Sequence, residues 1–313
     1  MKSRNYAGIS LLASLAACNS ATAETVQKNS TQDPKRPNVI VILADDLGYG
    51  DLKCYGAKNV ETPHVDKLAS EGIRFTNAHT VAATSTPSRY SLLTGEYAWR
   101  RPDTDIAAGD VKMIIRPEQY TMADMFKSAG YATAAIGKWH LGLGDKTGGQ
   151  DWNAPLPAAL GDLGFDYHYI MAATADRVPC VFIENGKVAN YDPSDPIEVS
   201  YTKNFPGEPT GKDNPELLYN LHPSNGHDMS IVNGISRIGF MKGGGKALWK
   251  DENIADSITP FMPSTLSNSI KTSLSLCILQ PMMYTFLVFP MTASVERILW
   301  DYAETQSPNS TGR

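Results

Sequence analysis

The sequence predicts an α/β fold in which helices cover a mostly parallel sheet, and three observations support this. A continuous β-branched run, N-V-I-V-I-L at residues 38–43, is typical of a strand buried on both faces. Strand and helix patterns then alternate along the chain as far as residue 136. Polar side chains follow the strand ends, which is where ligands bind in such sheets.

Helix signals follow the first strand in order. Thr62 and Pro63 predict a helix start, and Gly72 predicts its end. The apolar stripe of this helix comprises Val65, Leu68 and Ala69. Residues 73–78 read as the next strand, and Ser88 is predicted to cap a short helix that ends at Thr94 and Gly95.

The pattern continues with a helix that Thr121 caps and Gly130 ends, followed by a strand at residues 131–136. Asn185 and Gly186 predict the turn of a hairpin. Residues 192–250 are rich in proline and glycine and predict a long surface excursion, after which a further helix begins at Ile254.

The first residues resemble an export signal. A short positive region with Lys2 and Arg4 precedes an apolar stretch too short to span a bilayer. The sequence L-A-A-C resembles a bacterial lipobox, which predicts a lipoprotein signal peptide at residues 1–18 and lipidation of Cys18; a plain signal peptide is the alternative. Residues 19–36 then form a polar tether. We expect export to the periplasm or outer membrane, with a lipid anchor in the membrane.

Two adjacent acids follow the first strand. Asp45 and Asp46 repel each other when both are ionised, so the pair favours a divalent cation, although a solvated loop is the ordinary alternative. All-oxygen ligation indicates Ca²⁺ or Mg²⁺ rather than zinc. The net charge of −5 and the lack of a long basic run make nucleic acid an unexpected partner.

Four further residues could carry chemistry. A helix places Arg89 one turn from Ser85, at an end where the helix dipole favours an anion; a simple capped helix is the alternative. Lys138 and His140 follow the strand at residues 131–136, and each alone is more often a surface lysine or a core histidine. Together with the acidic pair they predict a cationic pocket for an oxyanion beside a nucleophile.

Four motifs in the right order resemble type I sulfatases. They are V-I-V-I-L-A-D-D-L-G-Y-G-D, T-P-H-V-D-K-L-A-S-E-G-I-R-F-T-N-A-H, S-T-P-S-R-Y-S-L-L-T-G and G-K-W-H-L-G. The resemblance covers residues 37–259 and implies the N-terminal, incomplete part of an alkaline-phosphatase-like sandwich whose central, mostly parallel sheet is covered by helices.

The resemblance also implies a mechanism. An anaerobic-type sulfatase-maturating enzyme, expected in an anaerobic bacterium, would oxidise Ser85 to formylglycine, and the hydrated aldehyde would accept and release sulfate. Asp45, Asp46 and the modified Ser85 would ligate Ca²⁺. Arg89 would orient the nucleophile, and Lys138 and His140 would bind the sulfate oxygens.

The sequence departs from the family after residue 259. The later acid–amide metal pair and the further active-site histidine and lysine do not occur. A one-base shift of reading frame allows residues 277–297 to resemble a sulfatase stretch that carries the later histidine. We therefore expect an out-of-frame tail at residues 260–313, poorly packed, with weak or absent catalysis; a diverged functional tail is the alternative.

Two other functions remain open at this stage. One is a metal-dependent phosphatase or phosphodiesterase of the same superfamily, and the other is a non-catalytic lipoprotein fragment. The favoured substrate is a sulfated host or algal glycan, with the sugar undetermined. Candidate sugar contacts are His168, Arg177, His222 and His227, each of which is more often a core or surface residue.

Overall fold

The computed structural model describes residues 37–258 and the backbone of residues 275–280. Its strands are β1 (Val39–Ile42), β2 (Ala132–Lys138), β3 (Tyr167–Met171), β4 (Phe182–Glu184), β5 (Lys187–Val188), β6 (Glu198–Ser200), β7 (Ile231–Val232), β8 (Ile235–Ser236), β9 (Phe240–Lys242) and β10 (Ser275–Gln280). Its α-helices are α1 (Pro63–Glu71), α2 (Ser85–Thr94), α3 (Met122–Ser128) and α4 (Ile254–Ile258).

The central sheet has six strands in the order β1-β10-β2-β3-β4-β5. The first four are parallel to one another, and β4 and β5 pair antiparallel at one edge, so the prediction of a mostly parallel sheet is confirmed. Two small antiparallel pairs, β6 with β9 and β7 with β8, lie in the following segment. Because β1 and β2 run in the same direction, the residues after both strands lie at one edge of the sheet.

The core is built on β2 and β3. Ile136, Leu141 and Ile170 are at most 1% exposed, and Trp139 packs edge-on against Phe165 with ring centroids 6.3 Å apart. Full burial of such side chains contributes about 1.5–3 kcal/mol each, so this cluster fixes the carboxyl end of β2. Among the described residues, none of the helices has the length and apolar composition needed for a bilayer crossing.

Helix α2 begins earlier than predicted. It starts at Ser85 with Thr84 as its N-cap, while the Ser88 hydroxyl donates to the carbonyl of Ala82 at 2.6 Å instead of capping the helix. Pro87 is tolerated in the first turn because the amides there have no partner inside the helix. The predicted C-terminal end is confirmed.

The prediction for α3 holds at its start. The Thr121 hydroxyl accepts from the amide of Asp124 at 3.1 Å, and the Asp124 carboxylate accepts from the amide of Thr121 at 2.9 Å. This reciprocal capping box satisfies two amides at the N-terminus of the helix.

Two predictions next to α1 are wrong. No residue of α1 is buried, and Leu68 of the predicted stripe is 57% exposed. Residues 73–78 form no strand, and Ile73 and Phe75 are 83% and 67% exposed. The apolar pattern is real, but within the described part of the chain no strand pairs with residues 73–78.

The segment at residues 192–250 is more than a surface excursion. The Arg237 guanidinium, 1% exposed, forms a double hydrogen bond with the Asp251 carboxylate at 2.8 and 2.6 Å. The same guanidinium donates to the carbonyls of Ala175 and Val232 at 2.7 and 2.9 Å. The buried Arg237 therefore links the segment at residues 192–250 to the loop after β3 through its bond to Ala175.

The expectation of poor packing after residue 259 does not hold for the backbone of β10. This strand pairs in parallel with β1 on one side and β2 on the other. The sequence of this strand, S-L-C-I-L-Q, has no strict alternation of apolar and polar residues, so period-two patterning did not predict it. The rest of the tail, the proposed signal, the tether and Cys18 lie outside the described residues, so the frameshift and the lipid anchor stay predictions.

Of the two alternatives that the sequence left open for His168, a sugar contact and a core residue, the structure shows the core residue. It is 3% exposed, and its Nε2 accepts from the amide of Gly186 in the β4–β5 turn at 2.8 Å. Burial lowers the pKa of His168 to about 4 from its ordinary value of 6.5. The neutral ring therefore ties the hairpin turn to β3.

We predict that His168 makes the protein less stable in acid. Folding lowers the pKa of His168 from 6.5 to about 4. The contribution of the neutral ring to the free energy of unfolding is therefore complete above pH 6.5. As the pH falls from 6.5 towards 4, this free energy decreases by up to about 1.4 kcal/mol per pH unit. In His168→Gln, where the amide oxygen replaces Nε2 as acceptor, this part of the pH dependence disappears. Urea unfolding at several pH values measures it, and equal slopes for both proteins would contradict the assignment.

We also predict that Asp251→Asn destabilises the fold by about 3–5 kcal/mol, because it leaves the buried Arg237 without its counter-charge. The control is Glu198→Gln. Glu198 pairs with Lys242 at 3.8 Å with both side chains about half exposed, so its loss costs at most about 1 kcal/mol. Denaturant midpoints compare the two, and equal shifts would show that the buried pair is not the stronger one.

Candidate active site

Ser85 stands at the first residue of α2, half-buried, at the same edge of the sheet as the carboxyl ends of β1 and β2. Its hydroxyl oxygen accepts from Nε of Arg89 at 2.8 Å and lies 3.0 Å from Nδ1 of His140. Arg89 is one helical turn along α2, as the spacing predicted. The serine thus has a cation on one side and an imidazole on the other.

Arg89 joins three parts of the fold. Its guanidinium is 1% exposed and donates to the carbonyl of Lys138 at 3.0 Å and to Oδ1 of Asp45 at 3.2 Å. Helix α2, the end of β2 and the loop after β1 therefore meet on one side chain. Together with the bond to the Ser85 oxygen, these hydrogen bonds hold the guanidinium plane in one orientation.

Lys138 is the last residue of β2 and is 4% exposed. Its ammonium donates to Oδ2 of Asp45, so one carboxylate lies between two buried cations. Burial, then the charge of Arg89, lowers the pKa of Lys138 to about 8. Burial raises the pKa of Asp45, but Lys138 and Arg89 outweigh it and the net pKa lies below the ordinary value, so Asp45 is ionised.

His140 follows β2 in a left-handed backbone conformation, with φ of 59°. Its Nε2 lies 2.8 Å from the carbonyl oxygen of Ala107, and its Nδ1 faces Ser85. Burial, then the charge of Lys138, lowers the pKa of His140 to about 3. The ring is therefore neutral at physiological pH, and both of its nitrogens contact groups of this chain.

Asp46 is exposed and also has a left-handed backbone, with φ of 56°. A left-handed backbone is uncommon for residues other than glycine and asparagine. Of the described residues that are neither glycine nor asparagine, only Asp46 and His140 adopt it. Both lie directly after strands of the parallel sheet. The unusual backbone therefore coincides with the predicted site.

The carboxylate oxygens of Asp45 and Asp46 suit Ca²⁺, but two carboxylates are too few to complete its coordination. Calcium takes six to eight oxygen ligands. Within residues 37–258, no three His, Cys, Asp or Glu side chains group around a potential metal position. Asp45 is also already neutralised by Arg89 and Lys138. A full calcium site would need further oxygen ligands.

A second polar cluster lies close by. His227 contacts Oδ2 of Asp176 at 2.9 Å, and Arg177 donates to the Thr174 hydroxyl at 2.8 Å. The amide of His140 donates to the carbonyl of Ala172 at 3.1 Å, so the loop that carries this cluster begins next to His140. The fourth candidate sugar contact, His222, is exposed.

Sequence reasoning missed Thr86 and Ala107. The Thr86 hydroxyl donates to the backbone carbonyl of His140 at 3.0 Å and accepts from the amide of Ala107 at 3.1 Å. Only the position of Thr86 next to Ser85 could have drawn attention to it, because hydrogen bonds to distant backbone groups leave no pattern in the sequence.

The chain resembles known proteins over most of its described length. Residues 37–220 match the family model described as sulfatase. It is 55% identical over 248 residues to an N-acetylgalactosamine-6-O-sulfatase of Bacteroides thetaiotaomicron, covering 79% of this chain and 47% of that enzyme. It is 48% identical over 119 residues to the steryl-sulfatase of Mus musculus, covering 35% of this chain and 19% of that enzyme.

A solved structure of a 6S-sulfatase from Bacteroides thetaiotaomicron, from work on the metabolism of multiple glycosaminoglycans, superposes with a TM-score of 0.82 at 47% identity. The match covers 86% of this chain and 59% of that chain. The present chain thus spans less than two thirds of the length of each of these proteins.

We predict that Asp45→Asn destabilises the protein by about 3–5 kcal/mol, because Arg89 and Lys138 would lose the carboxylate that neutralises them. The matched control is Asp46→Asn, one residue away and exposed, for which the expected loss is below about 1 kcal/mol. Both are measured by urea unfolding in metal-free buffer. Similar losses for the two variants would mean that Asp45 does not hold the cations together.

Proposed function

The chain belongs to the sulfatase family, and we propose that it hydrolyses sulfate esters on carbohydrates. Its fold is the alkaline-phosphatase-like α/β fold of that family of sulfuric ester hydrolases, as the resemblance predicted. One observation carries the proposal: the Ser85 oxygen lies within hydrogen-bond reach of both Arg89 and His140, with Lys138 in the same charged cluster.

The site suits an anionic substrate. Two cations, Arg89 and Lys138, are fixed by Asp45 before any substrate arrives, so their donors need little reorganisation. The N-terminal end of α2 adds partial positive charge next to Ser85. A sulfate group placed against Ser85 would therefore meet donors that stabilise negative charge as the ester bond breaks.

We propose that Ser85 becomes formylglycine by a two-electron oxidation that removes two hydrogens from its side chain, with an anaerobic-type sulfatase-maturating enzyme as catalyst and source of the oxidant. When formed, the hydrated aldehyde supplies a nucleophile that can release sulfate afterwards, whereas a serine sulfate ester is stable. Arg89 would orient the oxygen at this position, because its Nε already donates to the Ser85 oxygen.

The geometry favours a different role for His140 from the expected binding of sulfate oxygens. Its Nε2 contacts the carbonyl of Ala107 and its Nδ1 faces Ser85, so neither nitrogen is directed at a substrate oxygen. We propose that Nδ1 holds and accepts the proton of the hydroxyl at position 85. Lys138 would then stabilise the sulfate charge and assist the leaving alcohol.

Calcium would be held by Asp45, Asp46 and the modified residue at position 85, and it would polarise the sulfate. The residues that the structure describes supply only part of its coordination shell. The ion is therefore a component that the proposal requires and that further oxygen ligands must complete.

We propose a 6-O-sulfated amino sugar as the substrate. The support is the 55% identity to an enzyme that acts on N-acetylgalactosamine 6-sulfate. Arg177 and His227 both contact Asp176 on the loop that begins next to His140, and they would hydrogen-bond the hydroxyls of the sugar. A lipid anchor at Cys18 would hold the protein in the periplasm or at the outer membrane of an anaerobic bacterium.

Mass spectrometry and an activity assay test this function together. After co-expression with a serine-type maturating enzyme, we predict that the Ser85 peptide loses two hydrogens. With calcium the protein releases sulfate from N-acetylgalactosamine 6-sulfate only slowly, because the described residues supply part of the calcium shell. Ser85→Ala abolishes both results.

The matched control is Ser88→Ala, which removes a hydroxyl of the same helix that bonds Ala82, away from the nucleophile. It leaves both results in place. Release of phosphate from a sugar phosphate by the unmodified protein would instead indicate a phosphatase. Sulfate release with the Ser85 side chain intact would refute the role of formylglycine.

A further inference from the structure

Three hydrogen bonds form a closed ring behind the nucleophile. The Thr86 hydroxyl donates to the carbonyl of His140 at 3.0 Å, Nε2 of His140 lies 2.8 Å from the carbonyl of Ala107, and the amide of Ala107 donates to the Thr86 hydroxyl at 3.1 Å. Thr86 is fully buried and His140 is 2% exposed, so water does not compete for these groups. The ring joins α2 to two separate loops.

The ring determines which nitrogen of His140 carries the hydrogen. A carbonyl oxygen can only accept, so Nε2 must donate to Ala107. In a neutral imidazole the other nitrogen is then an acceptor, and Nδ1 presents its lone pair to the Ser85 oxygen at 3.0 Å. The hydroxyl of Ser85 therefore donates to His140 while it accepts from Arg89.

A threonine suits this position for two reasons. One hydroxyl supplies the donor for His140 and the acceptor for Ala107 at the same time. The branched side chain restricts rotation about χ1, so the hydroxyl stays aimed at both partners. The bond to the His140 carbonyl also supports the left-handed backbone of His140, which is uncommon for a residue with a side chain.

We propose that Thr86 is a positioning residue that fixes His140 as the Nε2–H tautomer, with Nδ1 as acceptor for the group at position 85. Thr86 does not face the reacting atoms itself and acts through His140 and Ala107. Its effect on turnover rests on the proposed sulfatase function, whereas its effect on the tautomer does not.

Imidazole ¹⁵N NMR of histidine-labelled protein tests the proposal, with His140 assigned by its loss in His140→Gln. The wild type is expected to show a single neutral Nε2–H form of His140. Thr86→Val, which keeps the shape and removes the hydroxyl, is expected to show a mixture with the Nδ1–H form. Thr86→Ser is expected to keep the wild-type signal.

The matched control is Thr133→Val. Thr133 is also a buried threonine, and its hydroxyl donates to the carbonyl of Gly164 at 2.6 Å, far along β2 from His140. It should lose stability as Thr86→Val does, yet leave the His140 tautomer unchanged. Thr86→Ala serves as a second variant without the hydroxyl if the valine does not fold.

An Nδ1–H tautomer in the wild type, or an unchanged His140 signal in a folded variant without the hydroxyl, would overturn the proposal. In the matured protein, Thr86→Val is expected to lower kcat by about 100-fold with little change in KM. If the matured wild type shows no sulfatase activity but Thr86→Val still shifts the His140 tautomer, the proposed function is refuted and the positioning role of Thr86 stands.

Discussion

The site depends on one carboxylate between two buried cations. Arg89 and Lys138 are 1% and 4% exposed, and each contacts a different oxygen of Asp45. Two such cations at close range in a poorly solvated region would repel by several kcal/mol without a counter-charge, at an effective dielectric constant of about 20. Because Arg89 also holds the Ser85 oxygen and the carbonyl of Lys138, Asp45 indirectly fixes the nucleophile relative to the end of β2.

The charged side chains around Ser85 nearly balance one another. Arg89 and Lys138 carry two positive charges, Asp45 and Asp46 two negative ones, and His140 is neutral, so these groups sum to zero. An anionic substrate then gains from the direction of the donors rather than from a net positive field. A divalent cation at the two carboxylates would change this balance by two units and would give these groups a net positive charge towards an anion.

Spacing in the sequence predicted the parts of the site that local geometry controls. Helical periodicity placed Arg89 beside Ser85, and parallel strands brought Asp45 and Lys138 to one edge. The contacts of His140 could not be predicted, because they join it to backbone groups of Ala107 and to Thr86, 54 residues away. Sequence patterns also failed to predict which apolar residues are covered by other parts of the fold. Leu68, Ile73 and Phe75 are exposed, although their pattern predicted burial. The sequence of β10 has no strict alternation, although the strand pairs on both edges.

The groups that could recognise a sugar are held separately from those that could do chemistry. Asp176 and Arg177 lie on the loop after β3, whose backbone pairs with Ile238: the amide of Ile238 donates to the carbonyl of Asp176 at 2.8 Å, and the amide of Val178 donates to Ile238 at 3.1 Å. Arg237 fastens the same loop through Ala175. The segment at residues 192–250 therefore supports Arg177, whereas α2 and the end of β2 position Ser85, so the two groups rest on different parts of the fold.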